Sequence, residues 1–350
     1  MRGHLKTLML GSAAVDRGRL LPLAGLRTAV VFGALAIWSY LAGQPERILP
    51  LAIGCVFVAF AEAGESVGRR WRTMAWVTLW IMLAAGVGTA FSDFPWLGVP
   101  ASMLVALIAG VAGVAGQRAA VGGMLSLVTF TIFLGAPQLP EAAVDSALLV
   151  GLGGSCITIV TIGPRLIRSP QALRTSLVPV DGLWARIRPR LTSQDAFVRH
   201  ALRLAALIGV TTVNSEVSGV AHAYWLPMTI AWVTKPDADG TVTRVADRLV
   251  GTLVGLATCA LLILGGHVHG LAAIAVTILA TGVIITFISA NYPIGVAAIT
   301  VLVVVLYSVE GEPVTAAIDV RLIATLLAGM LTIGASYVWR IPPGGVNPTP

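Results

Sequence analysis

The stretch YWLPMTIAWVTKPDADGTVTRVADRLVGTLVG, Tyr224 to Gly255, passes from an apolar segment through a single lysine and a Pro-Asp-x-Asp-Gly turn into a second apolar segment. Read locally, it is two helices joined by a polar hinge. Pro227 falls in the first turn of the leading helix, where the missing amide costs little, and Pro236 stops that helix. Trp225 is expected at the membrane interface, and Lys235 is expected to snorkel outward at the helix end. Asp237, Asp239 and Gly240 make the turn, with Thr241 or Thr243 capping the next helix. Gly251 and Gly255 form a GxxxG, which lets two helix backbones approach closely.

The rest of the chain has the same character. Of its 350 residues, 57% are hydrophobic and 11% charged, too little polar surface to cover a water-soluble globule of that size. Apolar runs bounded by charge, Pro or Gly begin near Leu26, Ile48, Met74, Leu97, Ala119, Ser146, Ala201, Ala223, Arg248, Val268, Pro293 and Arg321. This predicts an all-α polytopic membrane protein of about twelve transmembrane helices, the second and eighth runs being short. The first run starts late and lacks a small-residue cleavage site after it, so it is expected to stay as the first span.

Charge placement sets an expected orientation. With all twelve runs crossing and the amino terminus cytoplasmic, most Arg and Lys fall on the cytoplasmic side. Glu46, Asp93, Glu141, Asp145, Glu216, Glu310, Glu312 and Asp319 then fall opposite, with Arg47 and Arg321 as the basic residues there. That is the positive-inside pattern. Both termini are predicted to be cytoplasmic, and the net charge of +7 reflects topology rather than nucleic-acid binding. The lipid bilayer is the first expected partner. Two lysines against 21 arginines hint at a GC-rich bacterial genome.

Self-comparison shows a duplication. LRTAVVFG (Leu26–Gly33) matches LRLAALIG (Leu202–Gly209) at an offset of 176, Leu49-Pro50 matches Leu226-Pro227 at 177, and Ala142 to Asp145 matches Ala316 to Asp319 at 174. The organisation is therefore an N-terminal segment (1–25), a first six-helix repeat (26–163), a basic linker (164–200), a second six-helix repeat (201–340) and a tail (341–350). An even number of spans per repeat makes the repeats parallel, and such pairs commonly place a pathway near their interface. The linker carries Arg165, Arg168, Arg174, Arg186, Arg188, Arg190 and Arg199 against Asp181 and Asp195. It is expected to lie against anionic headgroups.

Tyr224-Trp-Leu-Pro227, then Lys235-Pro-Asp237 followed by Gly240, then Arg248-Leu-Val-Gly-Thr-Leu-Val-Gly255 resemble the signature of the fusaric acid resistance protein family of bacterial inner-membrane transporters. The first half follows in hydropathy but has AEAGESVGRRWR (Ala61–Arg72) in place of the Lys-Pro-Asp turn. The resemblance implies a bacterial inner-membrane, multi-pass location and secondary, proton-coupled export of small amphipathic organic anions such as aromatic carboxylic acids. Passive anion conduction, as in the distantly related plant aluminium-activated malate transporters, and a non-transporting assembly role through the linker are the alternatives. A homo-oligomer or a periplasmic adaptor is a possible further partner.

Ionisable groups at or within spans are the site candidates because desolvating them is costly. Arg27 and Arg203 occupy matching places in the repeat, while Arg248 and Arg321 lie at span starts on opposite sides. A guanidinium facing a pathway would take a carboxylate in fork geometry; the plain alternative is a snorkelling stem with its head among phosphates. Trp225, Lys235 and Asp237 join them as binding or gating candidates. Glu216 and His222, in NSEVSGVAH, are the proton-coupling candidates. Asp145 and Asp319 are expected to be helix N-caps.

Other chemistry is absent from the pattern. Cys55, Cys156 and Cys259 sit singly in apolar runs, and His267 and His269 lack a third ligand nearby, so no metal or other cofactor is expected. A P-loop, an EF-hand loop and HExxH do not occur. ATP hydrolysis and an enzyme reading therefore have no support.

Overall fold

The computed structural model describes residues 15–61, 67–136, 142–168, 188, 195–266, 269–309 and 314–338. These form twelve α-helices. The first six are α1 (Pro22–Leu41), α2 (Ile48–Ala61), α3 (Val67–Phe91), α4 (Pro95–Val111), α5 (Gln117–Gly135) and α6 (Ala142–Arg168). The others are α7 (Ala196–Val217), α8 (Trp225–Val233), α9 (Ala238–Leu264), α10 (Gly270–Phe287), α11 (Tyr292–Val309) and α12 (Val314–Val338). No strand occurs among the described residues.

Each apolar run is thus a helix, but several helices start well before their runs. The run expected at Arg248 begins at Ala238, and that expected at Arg321 begins at Val314. Charge ends an apolar run without ending a helix, since Arg is a good helix former. For the same reason Asp145 and Asp319 are not N-caps. Asp145 is exposed in the first turn of α6, and Asp319 is exposed five residues beyond the start of α12. α6 continues through Pro164, and α7 is capped by Asp195, whose carboxylate accepts the Phe197 amide at 2.8 Å. Most of the basic linker (169–187 and 189–194), His267 and both chain ends lie outside the described residues.

Nine of the described helices are long and apolar enough to cross a membrane. Their outward faces carry Leu23, Trp96, Leu104, Leu264 and Val338, all strongly exposed, as lipid contact requires. Inside, buried threonines return their hydroxyls to the carbonyl four residues back, as Thr129 does to Leu125 at 2.8 Å and Thr332 to Ala328 at 2.7 Å. No polar group then needs water at those places. α2 and α8 differ from the rest. They have 14 and 9 residues, about 21 and 13 Å, short of a hydrocarbon core of about 30 Å. Both are buried almost throughout.

Packing links the ends of the chain. α1 lies on α10 and α4 lies on α7, while α2 packs on α6 and α8 on α12. α3 contacts α5 and α6, and α9 contacts α11 and α12. The GxxxG is the α9–α11 contact. A Cβ on Gly251 would stand 2.5 Å from the Pro293 carbonyl oxygen, and one on Gly255 2.7 Å from that of Ala297, so only glycine permits this approach.

Candidate functional site

The site grows from the hinge. α8 ends at Val233, and Thr234 turns the chain out in extended conformation. The cap of α9 is Asp237, whose carboxylate accepts the Gly240 amide at 2.6 Å, in place of the expected threonine. Asp239 and Gly240 belong to the first turn of the helix, so the hinge itself is Thr234 to Asp237. The Thr241 hydroxyl braces it from beneath, donating to the Asp237 carbonyl at 2.8 Å and accepting the Lys235 amide at 3.1 Å. From α7, buried Arg203 donates to the carbonyls of Lys235 at 2.5 Å and Pro236 at 3.2 Å. Arg203 is thereby a clamp on the hinge.

Lys235 does not snorkel outward. It is half-buried and lines a cavity of about 600 Å³ together with Arg118, His200, Arg244, Phe60 and Trp232. Both halves of the chain contribute to these walls. Crowding by the protein, and then the charge of Arg244, lower the Lys235 ammonium from its ordinary value to about 8, against a smaller opposing effect of Asp237. Its lining is both cationic (Arg118, Lys235 and Arg244) and aromatic (Phe60, Phe197 and Trp232). At its edge the Arg244 guanidinium lies 3.2 Å from the ring centroid of Tyr292, the first residue of α11.

Beyond Trp232 the charge goes deeper. Arg248 lies one helical turn past Arg244, ten residues and so about 15 Å into α9, and is fully buried. Arg321, seven residues or about 10 Å into α12, is also fully buried. The sequence placed these two at opposite membrane edges. Because α9 and α12 both start early and pack on each other, the two guanidiniums come close enough for their charges to repel. None of their guanidinium nitrogens has a hydrogen-bond partner among the described residues.

Aromatic rings from α8 supply what contact they have. Arg248 stands 5.9 Å from the Trp232 ring and Arg321 5.2 Å from the Trp225 ring. Trp225 is therefore not at an interface. It is 1% exposed, enclosed because α8 begins inside the bundle. His222 stacks on it at 4.8 Å and 14° and approaches Tyr307 at 4.3 Å. The His222 backbone is left-handed at φ 60°, a strained conformation for a residue with a Cβ, held here by the two rings. The Tyr224 and Tyr307 hydroxyls hydrogen-bond to each other beside it.

The structure thus brings Arg248, Arg321, Trp225 and His222 into one cluster and puts Lys235 in the adjoining cavity. Arg203 and Asp237 shape the hinge. Arg27 sits half-buried on α1, whose main packing partners are α10 and α2 rather than α9 or α12. Glu216 is half-buried one residue from the end of α7. Tyr307, Tyr292, Trp232, Arg244, Arg118 and His200 were not among the sequence candidates. Two of these had a signal: Arg244 and Arg248 are four apart, and Trp225 and Trp232 seven apart, each spacing one helix face.

The family match falls in the half that holds this cluster. Residues 207–335 match the family described as fusaric acid resistance protein-like. The chain is 30% identical over 159 residues to "Inner membrane protein YccS" of Escherichia coli (strain K12), a match over 45% of this chain and 22% of that protein. It is 29% identical over 162 residues to "Uncharacterized protein ORF2" of Neisseria gonorrhoeae, 45% of this chain and 37% of that one. An uncharacterized protein of Haemophilus influenzae is 28% identical over 156 residues, 44% and 22% of the two chains. The matches thus span well under half the length of these relatives. No solved structure matches the chain.

Proposed function

From a second half that is fusaric acid resistance protein-like and bears the buried cluster, we propose that this multi-pass helical membrane protein is a secondary transporter. Its cargo is small amphipathic organic anions, aromatic carboxylates first, moved outward across the inner membrane at the expense of the proton gradient. One observation carries the reading: Arg248 and Arg321 are fully buried without a hydrogen-bonded anion among the described residues. A central arginine costs about 2.5–3.5 kcal/mol on insertion scales. A desolvated ring contact returns about 2 kcal/mol at best, and mutual repulsion adds to the cost. A transient carboxylate between aromatic walls would relieve all of this, which is the chemistry of a carrier site.

In this mechanism the substrate enters the cavity beside Lys235 and Arg244, attracted by their charge and held by Phe60 and Trp232. It then passes Trp232 to reach Arg248 and Arg321. Tyr224, Tyr307 and His222 close the far side. Release requires the Arg203-clamped hinge to shift so that α8 moves against α9 and α12. His222 carries the coupled proton, with Glu216 the second candidate. Paired packing, α1 on α10 and α4 on α7, supports two parallel six-helix repeats in which α2 and α8 are short enclosed helices, with both termini cytoplasmic on the charge pattern.

The test is accumulation of a labelled aromatic carboxylate in energised inverted vesicles containing the purified protein. Protonophore-sensitive accumulation above equilibrium, lost in Arg248→Ala at equal protein abundance, is the expected result. Equilibration indifferent to the protonophore would make the protein a passive anion channel, and no flux of any anion would end the transport reading.

A further inference from the structure

The cluster holds two cations, not one, and its geometry separates them. The rings that contact them, Trp225 and Trp232, are seven residues apart on α8, about 10 Å of helix. Arg321 thus belongs to the upper ring and Arg248 to the lower. The two charges come from different helices and lie within repulsive reach of each other. Neither has a carboxylate of this chain hydrogen-bonded to it among the described residues. A single carboxylate would neutralise one guanidinium and leave the other buried and bare.

Resting on the transport reading above, we propose that the preferred substrate is a dianion with its two anionic groups at opposite ends of a flat apolar body. One group is held by Arg248 beside Trp232 and the other by Arg321 beside Trp225. The ring between them replaces apolar contact. Each carboxylate accepts hydrogen bonds in the fork geometry that a guanidinium offers. The dianion cancels the repulsion that either charge alone would leave in place.

Binding of benzoate, phthalate, isophthalate and terephthalate to the full chain in lipid nanodiscs, each ligand titrated separately, tests this. Terephthalate is expected to bind at least about tenfold more tightly than benzoate, with phthalate, whose carboxylates are adjacent, gaining less. Arg248→Gln and Arg321→Gln are each expected to bring terephthalate down to the benzoate level, while the conservative Arg→Lys variants retain part of the preference. Equal affinity for benzoate and terephthalate in the unaltered protein overturns the dianion proposal and leaves the transport reading standing. Displacement of labelled benzoate by chloride at two equivalents per protein would also overturn it, the site then taking two separate small anions. If none of the four binds and no anion is transported in vesicles, both readings fall. Variants are compared only where gel filtration shows the same monodisperse peak as the unaltered protein.

Discussion

The seam between α3 and α6 and the seam between α9 and α12 each join the third and sixth helices of one half of the chain, and they are filled in opposite ways. In the first half small residues close it. A Cβ on Gly154 would stand 2.8 Å from the Thr78 side chain, one on Gly151 2.7 Å from the Met82 sulfur, and one on Gly86 3.2 Å from Ala147. In the second half the same seam buries two arginines. At the repeat offset of 174, Arg321 corresponds to Ala147 and Arg248 to the fully buried Met74, while the nearby arginine of the first half is Arg72. Arg72 is half-buried beside its own neighbour Trp71, 5.4 Å from the ring. The seam of the first half is thus a packed wall and that of the second half is charged, and the first half reaches the cluster through Phe57 and Phe60 beside Trp232, Gly135 against Tyr224 and Arg118 in the cavity.

The sharpest way to break this comparison is to exchange its contents. Arg321→Ala is expected to lower initial export at least about 30-fold, equivalent to about 2 kcal/mol, whereas Arg72→Ala stays within about threefold; rates in inverted vesicles normalised to protein amount decide it. Comparable losses in both would mean that the halves share the work.

The converse exchange, Ala147→Arg, forces a guanidinium into the close-packed seam beside Gly86. It is expected to destabilise the fold by about 3 kcal/mol or more, seen as loss of the monodisperse peak and a lower melting temperature. In the same register, Gly251→Val, whose side chain meets the Pro293 carbonyl, is expected to cost about 1–3 kcal/mol.

A smaller effect separates the hinge from the site. Arg203→Gln removes the donor to the Lys235 and Pro236 carbonyls and is expected to slow export about tenfold while leaving equilibrium anion affinity nearly intact. Faster hydrogen exchange at residues 234–241 would accompany it. If affinity falls as much as rate, Arg203 contacts the substrate instead.

The smallest is a pH dependence. Lys235 titrates near 8, below the ordinary lysine value, so it is charged below that pH and neutral above it. Anion affinity is expected to fall a few-fold as pH rises through 8, and Lys235→Arg should flatten the profile. The unfolded chain keeps this proton to a higher pH, so between about 8 and 10.5 the folded state gains stability as pH rises. Binding and stability must therefore move in opposite directions across that window.

Much of the architecture was legible because membrane burial is written in composition. Runs of apolar residues bounded by charge mark helices, glycines four apart mark a close contact, and a Lys-Pro-Asp turn marks a break, since each follows from local backbone physics. The arginines were legible as candidates, for few charges occur within apolar runs. Their role was not. The apolar run starting at Arg248 puts it at a membrane edge, whereas the helix starts ten residues earlier and carries it inside. Trp225 looked like an interfacial anchor because the sequence does not reveal that α8 is short and wholly enclosed. Tyr307 and Tyr292 carried no signal at all, being single tyrosines in an apolar run whose neighbours are set by packing.

The sequence by itself determined that this chain is a bundle of apolar helices, that its second half resembles the fusaric acid resistance pattern, and that a handful of arginines stand at or within apolar runs. Those are properties of composition, spacing and local helix chemistry. Which arginines meet, that they meet in one half and not in the other, and which rings stand between them were decided only by tertiary packing. The reason is that a guanidinium's surroundings come from helices far away in the chain, and the length and tilt of those helices depend on every other helix they touch.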